Sequence, residues 1–168
     1  MKPHPLQPDD ACARVATPLG EMWLAADAVG LWGAWFVDQR DAPEAAAAQA
    51  RLAPEWGCLP QARAQLRDYF AGQRRRFELP LHVKIGTDFQ RRVWQALRGL
   101  AFGQTSHYAD IAALAGRPAA VRATGGAIGR NPMSIFVPCH RVIGRDGALT
   151  GFSGGLPRKQ ALLELERR

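Results

Sequence analysis

The stretch Pro138-Cys139-His140-Arg141-Val142 holds the residue types best suited to chemistry in this chain. It follows the apolar pair Phe136-Val137, which predicts a short strand ending at the cysteine, and it runs on into a glycine-rich segment. A thiol near its free pKa of about 8.5 is only a few per cent ionised at neutral pH, so a nucleophilic cysteine needs a base nearby. His140 is such a base. A buried structural cysteine that merely precedes a histidine has the same local sequence, so the dipeptide alone leaves both readings open.

The rest of the composition narrows the setting. The three cysteines, Cys12, Cys58 and Cys139, form no CxxC pair, so neither a disulfide framework nor a four-cysteine zinc site is expected. A reducing compartment fits. The N-terminal Met1-Lys2-Pro3-His4-Pro5 lacks the apolar run of a signal peptide, and no stretch reaches the ~20 apolar residues of a membrane span. A cytoplasmic protein is expected, with no metal and no membrane partner. The net charge of +7 is unevenly spread. Residues 1–85 carry ten Lys/Arg and ten Asp/Glu, whereas residues 86–168 carry twelve and five. The whole excess therefore lies in the half that holds Cys139. This points to a polyanionic partner. Arginine-rich codon usage would give the same count, so charge by itself does not decide.

These residues need elements to position them. Residues 12–17, 21–27 and 31–37 read as three strands, with Trp23, Trp32 and Trp35 as core. Helices are expected over 45–52 and 60–71, the second stopped by Gly72. Residues 1–10 read as a loose tail, residues 73–87 as a linker, and Arg74-Arg75-Arg76 as a solvated loop. Thr87-Asp88-Phe89-Gln90 matches a capping box, followed by Phe89, Val93, Leu97 and Leu100 at helical spacing. Tyr108–Ala115 predicts a short helix ended by Gly116. Pro118 predicts the first turn of another, running to Gly125-Gly126. Two such helices joined by Gly-Arg-Pro form a helix-turn-helix pattern, though an ordinary helical corner fits too. Gly144–Gly155 would then form a hairpin or wing.

Taken together, Pro138–Val142, the two preceding helices, Asn131-Pro132 and Gly151-Phe152-Ser153-Gly154-Gly155 resemble the O6-alkylguanine-DNA alkyltransferases, the methylated-DNA–protein-cysteine methyltransferase family. The resemblance covers residues 86–166, including Gly103, Tyr108, Arg122-Ala123, Lys159, Leu162-Leu163 and Glu166. It implies an α/β (α+β) chain: a small ribonuclease-H-like N-terminal domain over residues 1–85, then a winged helix-turn-helix-like alkyltransferase domain over 86–168. The earlier half matches in organisation only.

The resemblance also implies roles. Cys139 would attack the alkyl carbon on O6 of guanine, once per molecule and without a cofactor. His140, acting through a water, would be the base, and Glu166 would orient it. Tyr108 would donate to N3 of the leaving guanine. Arg122 would fill the space of a flipped nucleotide, on a helix whose Ala123, Thr124 and Gly125 approach the minor groove of double-stranded DNA. Asn131 would lock the turn before the cysteine. The backbone N–H of Ser153 would face O6, the carbonyls of Cys139 and Val142 would accept from the guanine amino group, and Ser134 and Phe152 would line the pocket. The expected state is a monomer, with cooperativity on DNA left open. Several positions depart from the family pattern: Phe152 for tyrosine, Thr124 for valine, Ser134 for a pocket proline, and Gln160-Ala161 for Glu-Trp. Phe152 and Ser134 bear on substrate range, not on the cysteine–histidine–glutamate relay. Three other readings are weaker. A non-enzymatic damage sensor would lack the cysteine. A winged-helix regulator would leave His140 and Glu166 without purpose. A cysteine hydrolase would need an oxyanion site.

Overall fold

A computed structural model describes residues 5–168, which divide into two compact units, residues 5–82 and Val83–Arg168. The expectation for residues 1–4 lies outside the described residues.

The first unit is built on three antiparallel strands in the order β1 (Ala11–Val15), β2 (Met22–Ala26) and β3 (Leu31–Phe36). Every residue of β2 and β3 is buried, so neither face of these strands meets water. Asp27 makes the β2–β3 turn: its carboxylate accepts from the N–H groups of Val29 and Gly30, at 3.0 and 3.2 Å. Trp32 and Trp35 meet edge to face with centroids 5.3 Å apart, and the Trp35 ring occupies the space beside Gly33 that a Cβ would need. Helix α1 covers Ala45–Gln49, shorter than expected, and α2 covers Leu59–Phe70.

Two segments read as loose are held. Asp10 is buried and accepts from the Trp32 indole at 3.0 Å, while Leu6 packs on the same core. Residues 78–82 return to the sheet: Leu31 N–H donates to Pro80 O at 2.9 Å, and His82 N–H donates to Leu31 O at 2.8 Å. Neither segment has a periodic pattern. Backbone hydrogen bonds to distant residues, which a sequence does not display, are what order them.

The second unit begins with α3 (Asp88–Arg98), and its capping box is complete: Gln90 N–H donates to Thr87 Oγ1, and Thr87 N–H to Gln90 Oε1. Val93, Trp94 and Leu97 form its buried face. Strand β4 (Ser106–His107) leads directly into α4 (Tyr108–Leu114), and α5 covers Val121–Ile128. Gly116 ends α4 with φ +75°, where Arg117 N–H reaches back to Ala112 O. Two expectations fail here. Pro118 lies in a turn closed by Ala120 N–H to Arg117 O, not in the helix. Gly125-Gly126 sits inside α5, where Trp94 Nε1 donates to Ala127 O at 2.8 Å and ties the helix to α3. Tertiary anchoring thus overrides the low helix propensity of the glycines.

The chain next forms a single 3-10 turn, Cys139–Arg141, then β5 (Val142–Ile143) and, further on, α6 (Leu156–Glu166). The strand expected over Phe136-Val137 is absent; Val137 makes only an isolated bridge to Ser134. Residues 144–155 contain no strand among the described residues, so the turn-rich segment expected there is built of turns alone, with Gly144 N–H donating to Ala148 O at 2.9 Å. Strand β5 pairs in parallel with β4, Ser106 opposite Val142 and His107 opposite Ile143.

Candidate active site

The two-residue β4–β5 pairing brings the start of α4, with Tyr108, beside the chain that leaves the Cys139 turn. Upstream of the cysteine, Asn131 fastens the approach. Its Nδ2 donates to Val137 O at 2.8 Å and to Cys139 Sγ at 3.1 Å, and its Oδ1 accepts from Met133 N–H at 3.1 Å. Val137 N–H closes the turn on Met133 O at 2.9 Å. Within this turn Ile135 has φ +74°, a conformation that costs a β-branched residue roughly 1–2 kcal/mol. Such a conformation persists only where surrounding contacts impose it, as the Asn131 bonds do. Cys139 is only 5% exposed, while Ser134 and Asn131 are buried beside it in the chain.

His140 Nε2 lies 2.8 Å from Glu166 Oε1, and both side chains are buried. Glu166 is held well below the usual carboxylate range. Burial opposes its ionisation, but hydrogen bonds and charge from His140 and Arg141 outweigh that. An ionised carboxylate only accepts, so the proton sits on Nε2 and leaves Nδ1 as the acceptor. Nδ1 has no hydrogen-bond partner among the described residues. Burial lowers the His140 pKa, partly offset by Glu166 and reinforced by Arg141 and Lys159. The arrangement offers a buried thiol next to an imidazole with a free accepting nitrogen.

Around this pair the structure places the other expected residues differently. Tyr108 Oη lies 3.0 Å from Thr150 O and 3.1 Å from Thr150 Oγ1, so its phenol is engaged with the loop before Gly151. Arg122 and Ala123 are exposed on α5 and, with Phe89, Ala119 and Arg130, line an open groove of about 650 Å³. Gly125 faces the Tyr108 ring instead, with room for a Cβ 3.6 Å from its nearest carbon. Thr124 is a correction: at 0% exposure it points into the unit and cannot touch a partner. On a helix of 3.6 residues per turn it shares the buried side with Ala127 and Ile128. Ser153 Oγ donates to Gly129 O, and Phe152 is half-buried. The carbonyls of Cys139 and Val142 already accept, from Val142 N–H and Lys159 Nζ respectively.

Two residues given no role by the sequence reading stand out. Lys159 is fully buried, and its Nζ donates to Val142 O at 2.5 Å and Thr150 O at 2.6 Å. Burial lowers its pKa, with Cys139 acting in the opposite direction. A signal for it existed. Lys159, Leu162, Leu163 and Glu166 recur at i, i+3, i+4 and i+7, which marks one inward stripe holding two charges. Arg141 carried no such signal, because its partner Glu166 is 25 residues away. Gly103 completes the pocket around the carboxylate. Its N–H lies 3.2 Å from Glu166 Oε2, its φ is +76°, and a Cβ there would sit 2.8 Å from Glu166 O. Among the described residues no cluster of three or more His, Cys, Asp or Glu could hold a metal ion, and no helix is long and apolar enough to cross a membrane.

Comparison with known proteins gives matches along nearly the whole chain. The family model for the 6-O-methylguanine DNA methyltransferase ribonuclease-like domain matches residues 12–83, and that for the same family's DNA-binding domain matches residues 88–168. A methylated-DNA–protein-cysteine methyltransferase of Mycobacterium leprae is 44% identical over 156 residues, covering 93% of this chain and 92% of the relative. The crystal structure of Mycobacterium tuberculosis O6-methylguanine methyltransferase superposes with a TM-score of 0.82 at 42% identity, covering 94% of this chain and 93% of that one. The crystal structure of Mycobacterium tuberculosis OGT in complex with DNA superposes at 0.78 and 41% identity, covering 92% and 91%.

Proposed function

The chain belongs to the 6-O-methylguanine DNA methyltransferase family, and on that premise we propose that it repairs DNA by moving the alkyl group of O6-alkylguanine onto its own Cys139. The observation that carries this reading is the buried sequence of groups Asn131–Cys139–His140–Glu166, with one accepting nitrogen of His140 left over.

The Cys139 thiol gives its proton, through a water, to Nδ1 of His140, while Glu166 holds the other ring nitrogen and balances the imidazolium that forms. The sulfur lone pair forms the new S–C bond as the bond from the alkyl carbon to O6 breaks. The electron pair leaves on guanine, and Tyr108 donates toward N3 once it exchanges Thr150 for the base. Asn131 Nδ2 orients the sulfur. No water can displace a thioether sulfur, so each molecule reacts once.

Arg122 and Ala123 are exposed on α5, so this helix enters the minor groove and Arg122 fills the gap of a flipped nucleotide. A flipped base costs a few kcal/mol of stacking, which a filler partly offsets. The +7 excess in residues 86–168 supplies phosphate attraction. The protein acts as a monomer in the cytoplasm.

The test is label transfer from duplex DNA holding radiolabelled O6-methylguanine. One label per molecule on Cys139, lost in Cys139→Ala and kept in Cys12→Ala and Cys58→Ala, is the expected result. Repeated turnover, or label surviving Cys139→Ala, overturns the reading. Arg122→Ala should slow repair of duplex DNA far more than reaction with the free O6-methylguanine base.

A further inference from the structure

The Glu166 carboxylate serves two side chains, not one. Oε1 lies 2.8 Å from His140 Nε2 and 2.9 Å from Arg141 Nη2. Oε2 lies 2.8 Å from Arg141 Nε and 3.2 Å from Gly103 N. Arg141 therefore grips both oxygens with one edge of its guanidinium. Its remaining Nη1 donates to Leu100 O at 2.6 Å, and its carbon lies 5.9 Å from the Phe102 ring centroid. Arg141, His140 and Glu166 are each at most 6% exposed.

We propose that Arg141 is a positioning residue of the transfer reaction: by neutralising Glu166 it keeps His140 uncharged until the thiol releases its proton. The inference rests on the alkyl-transfer reading above. Arg141 is permanently charged, so the Arg141–Glu166 pair sums to zero and a proton on His140 would leave the buried cluster with a net positive charge. A Glu166 facing His140 alone would favour the imidazolium, which cannot accept a proton. The charged groups facing His140 are Glu166 and Lys159 from α6, and Cys139 and Arg141 from its own turn. Lys159 works in the same direction as Arg141. Only the thiolate, formed at the moment of transfer, favours the imidazolium along with Glu166. Burial, Arg141 and Lys159 together hold the His140 pKa below its ordinary value. The loop from Leu100 to Gly103 has no chemistry of its own, yet it supplies a carbonyl, a ring and an N–H that fix the Arg141–Glu166 fork.

The experiment follows the His140 ring by NMR in the unreacted full-length protein from about pH 5.5 to about 8.5, together with the single-turnover transfer rate over the same range. Wild type should show a neutral ring near pH 7 and a rate limb below it. In Arg141→Met both the ring titration and the acidic limb should move up by about one pH unit or more. Arg141→Lys, which keeps the charge, should leave the limb near the wild-type position even if the rate falls. An imidazolium in wild type at neutral pH overturns the proposal. So does an Arg141→Met protein that is slower with an unmoved limb, since that is the mark of a merely structural role. Should Arg141→Met fail to fold, the wild-type ring titration and the Arg141→Lys limb decide. Absence of label transfer by wild type at any pH would instead overturn the alkyl-transfer reading, while the ring titrations still report on Arg141.

Discussion

The two units spend their interiors differently. The first buries β2 and β3 completely and fills its core with Trp32, Trp35, Leu24, Leu31, Leu59 and Leu66. The second buries Asn131, His140, Arg141, Lys159 and Glu166 within one stretch of chain and one helix. An apolar core draws its stability from surface removed from water, about 25 cal/mol per Å². A buried ionic network draws little net stability, because desolvation offsets most of the attraction. What it supplies is a fixed arrangement of proton donors and acceptors. The first unit packs, and the second holds charges in place against their tendency to hydrate.

The largest expected effects separate those two roles. Trp35→Ala should cost the first unit about 3–5 kcal/mol by leaving a cavity, while the transfer rate per folded molecule stays near wild type. Glu166→Gln should cost the second unit a comparable amount, about 3–5 kcal/mol, because Arg141 is left buried and uncompensated. Unlike Trp35→Ala, it should also slow transfer while DNA affinity stays nearly intact. Denaturant unfolding with parallel single-turnover assays checks both. Equal losses of rate in the two variants would erase the distinction between packing and chemistry.

Asn131→Ala should have a smaller effect. It removes the donor to Val137 O and Cys139 Sγ and the acceptor for Met133 N–H. About 1–3 kcal/mol of stability should go with it, since buried groups are left without partners. Transfer should slow further than that loss explains, as Ile135 is freed from its φ of +74°.

The units should also differ in their pH limits. His140 has a lowered pKa in the folded chain, so its contribution is present above the unfolded value of about 6.5 and is lost as pH falls below it. Glu166 is likewise lowered, and its contribution fades below an unfolded value of about 4.3. The second unit should therefore lose stability on the acid side. Cys12 in the first unit has its thiol pushed up to about 12, chiefly by burial and then by Asp10. A raised pKa gives stability below the unfolded value, lost as pH climbs from about 8.5 toward the folded one. Cys12→Ala should flatten that alkaline loss and leave the acid limb alone. Melting curves at several pH values, resolved by probes in each unit, check this; Cys58 is also raised by burial, so a smaller alkaline loss remains, and an alkaline loss as large in Cys12→Ala as in wild type would remove Cys12 as a cause.

The smallest effect concerns DNA. The charge excess lies in residues 86–168, so a log–log salt slope on the order of −2 to −4 is expected, from a few phosphates. Replacing Arg74, Arg75 and Arg76 together should leave affinity nearly unchanged. Arg75 and Arg76 are exposed, and Arg74 turns back to Arg76 O and Glu78. A large loss of affinity in that variant would mean that the first unit also meets DNA.

Much of this protein was legible in its sequence because much of it is local. The Thr87–Gln90 capping box and the glycine stop at Gly116 each follow from neighbouring residues acting on a few dihedral angles. Cys139 and His140 are adjacent, so their chemistry could be read directly, and the family resemblance extended it to Glu166. Tertiary structure alone decided the rest. The β4–β5 pairing set Tyr108 beside the chain leaving the Cys139 turn, Trp94 kept Gly125-Gly126 helical, and the face of α5 turned Thr124 inward. The fork of Arg141 on Glu166 and the anchoring of Lys159 on Val142 and Thr150 were likewise invisible in the chain order. The physical reason is common to all of them. A buried polar group must find its partner wherever the fold brings one, and neither the partner's distance along the chain nor its type leaves a periodic mark.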